Sequence, residues 1–127
     1  MHYLLDTHSV LWVLDGDKRL SGIARDIIED RQQAKFVSMA SVWEVGIKIS
    51  IGKLVFPENT IGFVQQIQKH GLVLLPISTR YIYEIEKLPH IHRDPFDRLL
   101  IATAIAENMT LITRDMNISQ YDVPHIW

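Results

Sequence analysis

The chain has 127 residues, 47% of them hydrophobic and 22% charged, with 13 Lys and Arg against 15 Asp and Glu. Such a balance describes one globular domain over residues 1–127; it excludes disorder, fibrous repeats and a bulk cationic field for gathering nucleic acid. Cysteine is absent, which excludes disulfides, thiolate catalysis, iron–sulfur clusters and thiolate zinc sites.

No apolar run approaches the roughly 18 residues of a membrane span, and no signal-peptide pattern opens the chain, so a soluble cytoplasmic protein is expected. Tyr3-Leu4-Leu5 reads as a short buried strand ending at Asp6. A brief helix over Val10 to Leu14 closes at Asp15-Gly16-Asp17, and Ser21 caps a second through Ile23, Ile27 and Ile28. Phe36-Val37 is a second strand, followed at Ser38 to Ser41 by the start of a helix that carries Val42, Val45 and Ile49 and stops at Gly52. Phe63, Val64 and Ile67 mark the next helix, before Gly71.

Leu72 to Leu75 is a third buried strand, stopped by Pro76, and Tyr81, Ile82 and Ile85 belong to a helix ending near Pro89. Asp94-Pro95-Phe96-Asp97 opens a long helix through Leu100 and Ala104; Thr110 to Thr113 is a fourth strand and Val123 to Trp127 a short fifth. Apolar strands alternating with helices imply a central, mostly parallel sheet of four or five strands covered on both faces. A three-layer α/β/α, Rossmann-like domain is the expectation.

Ligands of such sheets bind beyond the strands' C-terminal ends. Four segments deliver a carboxylate there: Asp6 after the first strand, Glu44 early in the helix after the second, Asp97 at the start of the long helix and Asp115 just past the fourth strand. Each pair of carboxylates about 4 Å apart costs about 4 kcal/mol at an effective dielectric near 20. A fold that gathers several either protonates some or holds a hard cation among them. Mg²⁺ fits, with Mn²⁺ as the substitute, and both suit phosphodiester hydrolysis. Setting the four acids aside leaves 13 basic against 11 acidic residues, a mildly basic remainder.

Each acid also has a plain structural reading. Ser41-Val42-Trp43-Glu44 matches a capping box, Asp94 and Asp97 match a helix start, and Asp115 with Asn117 matches a turn. Asp6 resists that reading, because an acid ending a buried strand needs partners or a cation; Asp94 is assigned to the cap alone. His8, His90 and His92 lack zinc-ligand spacing, so surface or packing roles are expected for them, with His8 also within reach of substrate. Trp12, Trp43, Ile47 and Phe56 read mostly as core. Lys48, Arg93, Arg98 and Arg114 flank the acids as candidates for phosphate contact.

Taken in order, Leu5-Asp6-Thr7-His8, Ser41-Val42-Trp43-Glu44 with Lys48, Asp94-Pro95-Phe96-Asp97-Arg98-Leu99-Leu100-Ile101-Ala102 and Leu111-Ile112-Thr113-Arg114-Asp115 span nearly the whole chain. The sequence resembles the PIN-domain ribonucleases, and among them the VapC toxins of bacterial toxin–antitoxin pairs. That resemblance implies a Mg²⁺-dependent endoribonuclease on a PIN fold, leaving 5′-phosphate and 3′-hydroxyl ends. Asp6, Glu44, Asp97 and Asp115 fall on the family's acidic cluster, as catalytic residues and metal ligands, with Asp6 and Asp97 foremost. Thr113 falls near the pocket floor, and Thr7, His8, Lys48, Arg98, Thr113 and Arg114 stand as substrate-binding candidates. The partners implied are RNA, a cognate VapB-like antitoxin and a second copy in a homodimer, with no membrane. Asn117 stands near the place where some relatives carry a further acid.

Two other classes meet part of the pattern. A phospho-acceptor receiver domain needs an acceptor Asp after the third strand and a Lys after the fifth, where this chain has Pro76-Ile77-Ser78 and Pro124-His125. A catalytically silent RNA- or protein-binding module would have acids that are all caps.

Overall fold

The computed structural model describes residues 1–127. Its strands are β1 (His2–Leu5), β2 (Ala34–Ser38), β3 (Val73–Leu75), β4 (Thr110–Ile112) and β5 (His125–Ile126). Between them run α1 (Thr7–Asp15), α2 (Gly22–Glu29), α3 (Met39–Ser50), α4 (Asn59–Lys69), α5 (Thr79–Lys87), α6 (Pro95–Glu107) and α7 (Met116–Ser119). All strand pairs are parallel, in the order β3-β2-β1-β4-β5. No helix is long and apolar enough to cross a membrane.

Side chains alternate across a strand, so each strand feeds two layers. Leu5, register-paired with Val37 and Ile112, packs with Val10, Val45 and Phe63 on one face. Leu4, paired with Leu111, packs with Leu100, Ile101 and Tyr121 on the other. Two cores separated by one sheet are the three layers expected.

Local chemistry sets most element ends. Ser21 accepts from the Ala24 amide as N-cap of α2, and Asp94 accepts from the Phe96 and Asp97 amides with Pro95 opening α6. Gly16 ends α1 in the left-handed conformation at φ 64°. Two expectations need correction, and one short helix was not foreseen. Helix α1 starts at Thr7 rather than Val10, because Asp6 is its N-cap. The third strand is an edge strand with Val73 half exposed, since an apolar run does not reveal whether a strand has neighbours on both sides. Helix α7, only four residues long, carries no usable period.

The chain winds outward from β1 through β2 to β3, then restarts on the other side with β4 and β5. The winding direction reverses between β1 and β4, and the crevice beyond their C-terminal ends is where such a sheet opens for a ligand. Asp6 follows β1 directly, while Thr113 and Asp115 follow β4.

Gly62 yields a test of the packing. Ala normally favours a helix interior over Gly by about 1 kcal/mol. At this position a Cβ would lie 2.0 Å from the Pro57 carbonyl oxygen and 2.7 Å from Glu58 Cβ. Gly62→Ala is therefore expected to destabilise, lowering the urea midpoint; an unchanged or raised midpoint would contradict this packing of the α4 entry.

Candidate functional site

The carboxylate of Asp6 uses both oxygens. Oδ1 accepts from the Ser9 amide at 2.9 Å, capping α1, and Oδ2 accepts from the Thr113 hydroxyl at 2.6 Å. Thr113 Oγ1 in turn accepts from the Asp115 amide at 3.0 Å. One hydroxyl thus ties the ends of β1 and β4 together. Asp6 is only 5% exposed. Burial pushes its carboxyl above the ordinary range, against the hydrogen bonds from Ser9 and Thr113 and the nearby His8 charge.

Asp97, in the first turn of α6, and Asp115, the N-cap of α7, come together with His92 so that one ligand atom from each lies within 4.8 Å of the others. His92 Nε2 is 2.8 Å from Asp97 Oδ2 and 3.4 Å from Asp115 Oδ2. Its Nδ1 faces the Asp94 amide, a donor, at 3.5 Å, so the ring proton belongs on Nε2, which donates it to Asp97 Oδ2. The His92 amide donates to Tyr121 Oη at 2.7 Å, which fixes the loop that turns the ring inward. Burial is the largest cause raising the Asp97 carboxyl to about 7; repulsion from Asp94 and Asp115 adds to it, and His92 opposes it.

Sequence reading missed His92. It sits five residues before Asp97 in a loop, and no period marks a loop that folds back on the helix it precedes. The available signal was its place immediately upstream of an acidic helix start.

Glu44 lies outside this trio. The expected capping box is not formed: Ser38 caps α3 and Glu44 sits a turn further along. The Thr7 hydroxyl donates to Glu44 Oε1 at 2.8 Å, so the 2.9 Å contact between Thr7 and Ser41 has Ser41 as donor. Glu44 Oε2 pairs with Lys48 at 2.9 Å. Glu44 therefore anchors Thr7, the neighbour of Asp6, and holds Lys48.

The cations divide into two groups. The Arg98 guanidinium donates to the Pro89 carbonyl at 2.8 Å and to Tyr121 Oη at 3.2 Å, bracing the His92 loop. Arg114 makes no ion pair and lies 4.8 Å over the Trp12 ring. Arg114, Arg19, His8 and Trp12 share with Asp6 and Asp115 a cavity of about 330 Å³. Trp12 and Phe56 are core as expected, whereas Trp43 and Ile47 are exposed on α3, because helical spacing alone does not say which stripe meets the sheet. Asp94 is the cap it was read as, and Asp115 Oδ1 accepts from the Asn117 amide.

Two carboxylates aimed at one point beside a third, buried one form a donor set for an oxygen-preferring divalent cation. Burial raises the carboxyls of Asp6 and Asp97 above the ordinary range, and a cation among these oxygens would offset that cost. The residues fit Mg²⁺ or Mn²⁺.

The model of the PIN-domain family matches residues 3–124. In structure the chain is similar to VapBC2 from Rickettsia felis bound to a DNA fragment from its promoter, at a TM-score of 0.76 and 16% identity over 99% of this chain and 98% of that one. It is also similar to DNA-bound VapBC from Salmonella typhimurium, at a TM-score of 0.72 and 13% identity over 99% and 97% of the two chains. VapBC-1 from nontypeable Haemophilus influenzae gives a TM-score of 0.72 and 17% identity with the same coverage. At these identities the likeness is one of fold. No curated protein matches the chain at a significant level.

The raised carboxyls predict a pH dependence. Asp97 titrates near 3.8 when unfolded and about 7 when folded, so between those values the folded chain binds the extra proton. Stability then falls as pH rises through that window. Asp6 acts in the same direction, and the lowered Asp17 acts only below it. The Tm of metal-free protein is expected to drop from about pH 4 to pH 7, and Asp97→Asn to flatten that drop; equal pH profiles for the two proteins would contradict it.

Proposed function

Because the chain belongs to the PIN-domain family, whose members are generally nucleases, we propose that it is a metal-dependent endoribonuclease of the VapC kind. It hydrolyses RNA phosphodiester bonds and is inhibited by a cognate VapB-like antitoxin. The observation that carries this reading is the approach of Asp97, Asp115 and His92 to within 4.8 Å, beside strand ends that Thr113 ties to Asp6.

Asp97 and Asp115 are the direct ligands of Mg²⁺ or Mn²⁺ in this reading, with Asp6 as the buried third carboxylate. When bound, the cation supplies a more acidic water and polarises the phosphoryl oxygen. His92 keeps the Asp97 and Asp115 carboxylates converged, and Thr113 fixes Asp6 against the Asp115 backbone. Glu44 is a positioning residue that orients Thr7 and Lys48. Arg114, His8 and Lys48 face the substrate, while Arg98 serves the loop.

VapBC complexes are among the structures similar to this chain, and the groove next to the site suits an antitoxin segment. Leu11, Trp12, Leu54 and Phe56 line it with Lys48 and Lys53 among its polar residues, in a cavity of about 420 Å³. A segment lying there reaches His8 and Trp12, which border the acidic cavity as well. To a second copy of the chain we assign the exposed stripe of Met39, Trp43 and Ile47 on α3 with Ile51 just past its end, since a two-fold interface needs one self-complementary face.

Purified protein is expected to cleave RNA in Mn²⁺ or Mg²⁺ and to stop in EDTA. Asp6→Asn, Asp97→Asn and Asp115→Asn should each lower the rate by more than about 100-fold, and His92→Ala by about 10- to 100-fold, the range typical of groups that orient metal ligands. Mn²⁺ should raise the wild-type Tm and leave that of Asp97→Asn unmoved. Metal-independent cleavage, or full activity in Asp97→Asn, refutes the assignment. Trp43→Glu is expected to convert a dimer to monomer in sedimentation velocity; a variant that sediments as wild type removes the α3 interface.

A further inference from the structure

Trp12 is a meeting point beside the acidic cavity. The His8 ring lies nearly parallel to it, at 5.6 Å and 17°, and Trp127 meets it edge-on at 5.7 Å. The guanidinium groups of Arg19 and Arg114 lie over its ring at 5.1 and 4.8 Å. Trp12 is 8% exposed, whereas His8, Arg19 and Arg114 are exposed. The tryptophan is therefore a buried backing, and its neighbours present their outer faces to solvent.

A guanidinium resting on a π face spends none of its N–H donors there. Arg114 makes no side-chain hydrogen bond at all, and Arg19 shares its charge with Asp17 at 2.7 Å. An arginine held in place with its donors free, next to Asp6 and Asp115, is suited to an anion that those carboxylates alone would repel. A flat ring supported from behind is suited to a second flat ring in front. Unpaired nucleotides supply both features, because splayed RNA bases stack on aromatic, His and Arg planes while the phosphate is contacted separately.

We propose that His8, backed by Trp12, and Arg114 form a subsite for one unpaired nucleotide of the RNA substrate, the base stacking on His8 and the adjoining phosphate bound by Arg114. This rests on the ribonuclease reading and adds to it which side chain takes the base and which takes the phosphate. Arg19 adds charge at the outer margin of the same platform.

The test is fluorescence anisotropy of a labelled single-stranded RNA and its duplex in Ca²⁺, with cleavage in Mn²⁺ followed in parallel. His8→Ala should weaken single-strand binding about tenfold, within the range of one stacked base, while His8→Phe stays within about twofold of wild type. Arg114→Gln should lower the slope of log Kd against log salt by about 0.7, the loss of one single-strand phosphate contact. Duplex binding should be weaker and insensitive to His8. A wild type that cleaves RNA in Mn²⁺ but whose affinity and salt slope are unmoved by either substitution overturns the subsite and leaves the nuclease standing. A wild type that neither binds nor cleaves RNA overturns both.

Discussion

A carboxylate at the buried end of a strand is tolerated only where fixed donors or a cation compensate it. Asp6 meets that condition through the Ser9 amide and the Thr113 hydroxyl. The Thr113 bond joins residues 107 positions apart and connects β1 to β4 at the point where the sheet's winding reverses. Ser9 adds a second tie by donating from Oγ to the Ile112 carbonyl. With the two strand ends joined, α1 and the Asp115 turn start from fixed positions. The cavity between them is a consequence of that join.

The rest of the site is a charge balance left incomplete. Asp97 and Asp115 lie close enough to repel, and the one imidazole beside them hydrogen-bonds Asp97 at 2.8 Å and only approaches Asp115, at 3.4 Å. The fold keeps this arrangement by spending Arg98 and Tyr121 on the backbone of the His92 loop. On the proposed nuclease reading, stability and function pull apart at these positions: a neutral amide at Asp97 would relieve the repulsion while removing a donor for the proposed cation. Such conflicts concentrate where a protein works on charged substrates.

Around the acids the fold sets cations with distinct tasks. Lys48 is held by Glu44, Arg98 by carbonyls, and Arg19 by Asp17, while Arg114 alone rests on an aromatic ring with its donors unspent. A net charge of −2 hides this division. Some of the exposed apolar side chains, Met39, Trp43 and Ile47, form one row of α3 next to Phe96, which Trp43 meets edge-on at 5.1 Å. The row therefore adjoins the start of α6, the helix that carries Asp97.

The alternation of apolar strands with helices was enough to determine three layers and a parallel sheet, because burial on both faces leaves an unbroken apolar run in β1. Cap residues likewise announced α2 and α6, since their hydrogen bonds reach only two or three positions. The acids Asp6, Asp97 and Asp115 were legible for the same reason: each terminates a strand or opens a helix. What the linear chain could not determine depends on contacts between distant segments. It did not reveal that His92 folds back onto Asp97, that Glu44 faces Thr7 rather than its own helix end, or that Arg98 is consumed by a loop. It also left open which stripe of α3 faces water and which strand forms the sheet edge. Local hydrogen bonds and periodicity are written in neighbouring residues, whereas the direction of a side chain across a crevice is settled only when the strands and helices that carry it have packed.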